Sequence, residues 1–92
     1  SFIEQCRREE IQTTLHNMQQ SIEQKYAIKC KFEFSYILQE NFTLKVTQVF
    51  VFIENIDACN KEVIEDIKQS IQSYFEINTS DIFVYGVGNE GT

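Results

Sequence analysis

The chain has no proline, no tryptophan, a single histidine and only three glycines in 92 residues. All three glycines fall in the last seven positions, so no Pro- or Gly-rich linker divides the sequence. There is no internal repeat and no low-complexity stretch. A chain of this length fits one domain and leaves no room for two. No run approaches the ~20 apolar residues that span a bilayer. The longest is Val49 to Ile53, and the first residues do not have the pattern of a signal peptide. Basic residues are few: 8 Lys and Arg stand against 14 Asp and Glu, for a net charge of −6. Phosphate contacts dominate nucleic-acid affinity, so this balance argues against a nucleic-acid partner. It argues equally against a polybasic membrane-surface role.

Cysteine is sparse. Cys6, Cys30 and Cys59 are far apart and odd in number, unlike the dense, even framework of a disulfide-stapled secreted domain. Three structural thiols fit this pattern; one disulfide with one free thiol also fits. With no Cys-x-x-Cys and no second histidine, no metal-ligand set is expected.

Phe and Tyr are abundant, at 8 and 4 residues. Hydrophobic content of 42% and charged content of 24% are those of a globular chain rather than a disordered one.

Along the chain, Ile3, Ile11, Leu15, Met18 and Ile22 recur at spacings that are multiples or sums of three and four, which predicts a helix over residues 2–24. Arg7 is the polar intruder in that stripe. Residues 28–36 alternate: Ile28, Cys30, Phe32, Phe34 and Tyr36 point one way, Lys29, Lys31, Glu33 and Ser35 the other. That period of two predicts a strand with one buried and one wet face.

After a turn at 39–41, a second strand is expected over 42–53. Phe42, Leu44 and Val46 alternate with Thr43, Lys45 and Thr47, and then Val49 to Ile53 are all apolar. Either both faces are covered there, or a bulge near Thr47–Gln48 flips the phase. A second helix is predicted over 60–76, with Asn60 as N-cap and Glu62 in its first turn. A third strand is predicted over 81–85.

The order α-β-β-α-β leads to an α+β two-layer sandwich: a three-stranded mixed sheet with two helices on one face. The expected layout is a single domain over 1–85 and a flexible Gly-rich tail over 86–92.

Candidate chemistry is thin. Gly86-Val87-Gly88-Asn89-Glu90-Gly91 matches G-x-G-x-x-G, whose mechanism needs a following helix N-terminus to hold a pyrophosphate. The sequence supplies only Thr92 after it, so no dinucleotide cofactor is expected. His16 lies almost three helical turns from Cys6, too far for a Cys–His nucleophile. Glu9, Glu10, Glu62, Glu65, Asp66 and Glu76 read as solvated helix faces rather than a converging hydrolytic pair. Asn41-Phe42-Thr43 and Asn78-Thr79-Ser80 are glycosylation tripeptides that matter only on a eukaryotic secretory route.

What stands out is a surplus of apolar residues on the sheet. One set from the second strand must join Phe83 and Tyr85 on the face away from the helices. A patch of that kind marks an interaction site. The interface candidates are Val49, Phe50, Val51, Phe52, Phe83 and Tyr85, with no catalytic, cofactor or metal residues.

The run Val63-Ile64-Glu65-Asp66-Ile67-Lys68-Gln69-Ser70-Ile71-Gln72-Ser73-Tyr74-Phe75-Glu76-Ile77, followed by Asn78-Thr79-Ser80-Asp81-Ile82-Phe83-Val84, is an Ile-rich helix, an aromatic exit, a polar loop and a strand. It resembles the C-terminal part of the stage III sporulation protein AF family. The entry Lys25-Tyr26-Ala27-Ile28-Lys29 into the first strand is similar too. Where members of that family often carry Gly after the aromatic of each helix, this chain has Ala27 and Glu76.

The resemblance implies a ring-building-motif-like fold and a non-catalytic assembly domain of the sporulation channel, or feeding-tube, complex. It implies as partners other protein subunits of a membrane-associated assembly, with self-association among them. It places the soluble domain in the space between mother cell and forespore, held to the cell membrane through an N-terminal segment outside this sequence. The reading to weigh against it is a free-standing small-molecule-sensing regulatory module.

Overall fold

Two helices and three strands follow in the order α1 (Phe2–Tyr26), β1 (Cys30–Leu38), β2 (Leu44–Glu54), α2 (Lys61–Phe75) and β3 (Ile82–Val87). The computed structural model describes residues 1–88. The expected α-β-β-α-β order and two-layer α+β sandwich are what it shows.

Both helices start on a side-chain cap. Ser1 Oγ accepts from the Glu4 amide at 3.2 Å, and Asn60 Oδ1 accepts from the Val63 amide at 3.0 Å. Each such cap contributes about 1 kcal/mol. Both helices end on a left-handed residue, Ala27 at φ 55° and Glu76 at φ 56°. These are the positions that glycine favours at helix ends.

The strands lie in the order β1-β2-β3. β1 and β2 form an antiparallel hairpin, and α2 crosses over so that β3 runs parallel to β2. The hairpin loop is closed by the Gln39 amide donating to the Thr43 carbonyl at 2.8 Å. It turns on two consecutive positive-φ residues, Asn41 and Phe42. Paired left-handed residues match the twist of the flanking strands.

One irregularity decides which residues become core. Ser35 pairs with Gln48 but Tyr36 pairs with Val46, leaving Thr47 as an extra residue in β2. This is the bulge foreseen as one of two readings of the phase break. A bulge inserts one residue against none and shifts every later side chain to the other face. Val46, Val49, Val51 and Ile53 therefore all point towards the helices. They meet Leu15 and Ile22 of α1 and Val63, Ile67 and Ile71 of α2, joined by Cys30, Phe32, Ile77 and Ile82. Each large aliphatic side chain so buried contributes about 1.5–3 kcal/mol.

Element ends shift by one or two residues from the sequence reading, β1 to Cys30–Leu38 and the start of β2 to Leu44 among them, and two departures bear on the packing. The stripe of α1 does not stay buried to its start: Ile3 is 47% exposed and Phe2 79%. A helix of 25 residues is about 37 Å long, whereas the nine residues of β1 reach only about 30 Å, so its first turns overhang the sheet. That end is held by the Tyr36 hydroxyl donating to Glu4 Oε2 at 2.8 Å.

β3 also runs past Tyr85 to Val87, so Gly86 and Val87 belong to the sheet rather than to a tail. Gly86 is there for space. A Cβ on it would lie 2.4 Å from Ile56 Cγ2, in the turn after β2. Of the rest of the expected tail, Gly88 is exposed and follows the strand, and residues 89–92 lie outside the described residues.

Candidate functional site: the open sheet face

Once the bulge has turned the valines inward, Phe50 and Phe52 must face away from the helices. Register places them beside β3 residues of the same parity: Phe50 opposite Phe83, and Phe52 opposite Tyr85. The rings stack, with centroids 5.5 Å apart in both pairs and interplanar angles of 17° and 21°. On the other side of β2, Lys31 pairs with Phe52 and Glu33 with Phe50. The open face thus carries two adjacent rungs, Lys31–Phe52–Tyr85 and Glu33–Phe50–Phe83. Phe50, Phe52 and Phe83 are half-buried by one another, and Tyr85 is exposed. Among the described residues no helix lies on this face.

Of the six interface candidates, these four aromatics are on the open face. Val49 and Val51 are not: both are fully buried against the helices. The Thr47 bulge gives the reason for this correction, since it fixes the phase that alternation alone left open. Sequence reasoning had Lys31 and Glu33 on the wet face but did not connect them to the patch. It missed Val87, which shares parity with Phe83 and Tyr85 and pairs with Glu54. The alternation of β3 would have found Val87 had Gly86 not been read as a strand end.

The other chemistry-bearing groups are dispersed. All three cysteines are free. Cys30 is buried, and burial pushes its thiol up to about 12, with Glu23 and Cys59 adding to the shift. A thiol so protonated is no nucleophile near neutral pH. The Glu23 carboxylate accepts from the Cys30 amide at 3.0 Å, so its role is to close the entry into β1.

His16 is exposed and lines a groove of about 550 Å³ between α1 and the β1 edge, with Arg8, Gln12, Gln19 and Lys31. The groove brings no carboxylate pair or nucleophile to the histidine. At the far end of α1, Asp66 accepts from the Tyr26 hydroxyl and from Lys25 Nζ, the latter at 3.0 Å. These donors, Tyr26 first, hold the Asp66 carboxyl below its ordinary value. This cluster fastens α1 to α2 on the solvent side.

Glu9, Glu10, Glu62, Glu65 and Glu76 are exposed. Among the described residues no group of three or more His, Cys, Asp or Glu side chains is placed to hold a metal ion. No buried side-chain polar atom among them lacks a partner. No helix among them is long and apolar enough to cross a membrane.

No family model matches the chain, and no curated protein or solved structure is significantly similar to it.

Proposed function

We propose that this chain is a non-catalytic interaction domain that docks on protein surfaces through the open face of its sheet. The observation that carries the reading is the aromatic block Phe50–Phe83 and Phe52–Tyr85, stacked in register on a face that no described helix covers. Aromatic residues are enriched at interface cores, where their area binds at low entropic cost. The dispersal of titratable groups argues against catalysis, and the net charge of −6 argues against nucleic acid.

The test is a photo-reactive phenylalanine analogue at Tyr85, compared with the same analogue at Gln69 on the solvent side of α2, in cells of the source organism. Protein adducts that form from position 85 and not from position 69 support the reading. Equal or absent adducts overturn it.

The most specific form of this proposal is an assembly subunit of the sporulation channel, with partners in a membrane-associated complex. It rests on the likeness of residues 63–84 to the stage III sporulation protein AF family. A reading frame that places one or two apolar spans of about 20 residues ahead of Ser1 supports this form. Another soluble domain in that position removes it and leaves the interaction reading standing.

A second reading, small-molecule sensing, is favoured by the groove of about 550 Å³ beside Arg8 and His16, a volume within the range of ligand sites. A ligand-induced rise in melting temperature across a metabolite panel that Arg8→Ala abolishes would establish it.

A further inference from the structure

The two rungs of the open face are complementary to each other. One reads cation, Phe, Tyr across the three strands (Lys31, Phe52, Tyr85); the next reads anion, Phe, Phe (Glu33, Phe50, Phe83). The rungs are about 7 Å apart, two residues along each strand. A two-fold axis lying in the face and running across the strands, midway between the rungs, would lay each rung on the other rung of a second copy. Lys31 would then meet Glu33, Phe52 would meet Phe50 and Tyr85 would meet Phe83, each twice.

We propose that the occupant of the open face is a second copy of this chain in this isologous, face-to-face arrangement. The inference rests on the interaction reading and names its partner.

Charge favours a copy over an unrelated basic protein. The chain carries 14 acidic residues against 8 basic, yet the two rungs contribute one of each and are neutral. Neither Lys31 nor Glu33 forms an ion pair among the described residues, so both are free to pair across an interface. The acidic surplus sits elsewhere, on the solvent sides of the helices at residues such as Glu9, Glu10, Glu62 and Glu65. The exposed apolar side chains of the helices, Phe2, Ile3 and Tyr74, lie at the start of α1 and the end of α2 and make no second block of four rings. The patch of a second copy matches it in both charge and side-chain type.

Two sheets packed face to face prefer nearly aligned strands, and the two-fold axis makes them antiparallel between copies, which satisfies that geometry. The area sets the strength. Three strands bearing two aromatic rungs and their flanks cover roughly 400 Å² per copy, about half of what a stable standard-size interface buries per partner. The dimer is therefore weak in solution, with a dissociation constant on the order of 10⁻⁴ M.

The experiment is sedimentation velocity from about 10 µM to 1 mM, at an ionic strength near 0.15 M to screen the long-range repulsion between acidic copies. The wild-type chain is expected to dimerise across that range. Lys31→Glu and Glu33→Lys, each alone, face like charges twice across the axis, and each weakens association about tenfold. Mixed in equal amounts, the two variants form heterodimers at least as readily as wild type dimerises, because each then meets its opposite. Both positions are exposed, and an unchanged far-UV circular dichroism spectrum confirms that the variants fold.

A wild-type chain still monomeric at 1 mM overturns the proposal. So does a mixture that associates no better than its components, which is the result expected if the β3 edges paired instead. Neither result touches the broader reading. That reading fails if the Tyr85 cross-linker captures no more than the Gln69 control, and adducts with a different protein in place of a dimer preserve it while removing the second copy.

Discussion

On the helix side of the sheet β2 presents Val46, Val49, Val51 and Ile53, each 5% exposed or less. On the other side the same strand presents Phe50 and Phe52, half-buried, beside Phe83 and Tyr85. The split follows from shape. Branched aliphatics interlock with helix residues such as Ile67 and Ile71 at the density of a protein interior. Flat rings stack in rows along a sheet and shield one another without a covering layer. The lesson is that a single unpaired residue, Thr47, decided which half of one apolar run became core and which an open aromatic face.

The contrast is broken most forcefully at the core. Ile67→Ala removes a side chain with no exposed surface and should cost about 2–5 kcal/mol. For a domain of this size that lowers the melting temperature by roughly 10 °C or more. Phe52→Ala on the open face removes a larger side chain yet should cost only about 1 kcal/mol, mainly its stacking on Tyr85. Equal losses in thermal unfolding would mean that the aromatic face is structural core and not a surface.

A smaller effect tests how β3 is seated. Gly86 has an ordinary φ, so Gly86→Ala acts only through the collision with Ile56 Cγ2, at a cost of about 1–3 kcal/mol. In an Ile56→Ala background the same substitution should cost much less, because the colliding methyl group is gone and only the Cβ at position 56, 3.2 Å away, remains close. Additive losses in a double-mutant cycle would show that the glycine is needed for another reason.

Next come the helix ends that return the chain to the sheet. Ala27 and Glu76 adopt left-handed backbone that costs an L-residue about 1 kcal/mol. Ala27→Gly and Glu76→Gly should each raise the melting temperature, with a gain of up to about 1 kcal/mol after the entropy that glycine adds to the unfolded chain. A fall in melting temperature for either would show that its side chain contributes more than the strain removes.

Much of this architecture was legible because periodicity survives in a short chain with few breakers. The alternation from Cys30 to Tyr36 and the stripe Val63, Ile67, Ile71 set the strand, the helix and their buried sides. The phase of β2 was not legible, because five consecutive apolar residues satisfy either parity. Pairing with β1 resolved it, and pairing is a long-range fact. Gly86 misled because glycine marks a strand end as readily as a close approach. Only the position of Ile56 distinguishes the two. The surplus of apolar surface was readable from composition, but its match to itself was not. That match depends on which residues share a rung across three strands.

The smallest effect lies at the far side of the helices, where Lys25 and Tyr26 of α1 meet Asp66 of α2. The hydrogen bond from the Tyr26 hydroxyl, and then that from the Lys25 ammonium, hold the Asp66 carboxyl below its ordinary range. A carboxyl depressed in the folded state stabilises above its unfolded value, near 3.9, and that contribution is lost as pH falls through the folded value. The group is partly exposed, so solvent screens it and the contribution is modest. Urea midpoints for wild type and Asp66→Asn should therefore differ slightly between pH 5 and 7, wild type being the more stable. The curves should converge below about pH 4. A difference that persists unchanged to pH 2 would show that the link between the helices depends on the shape of the side chain rather than its charge.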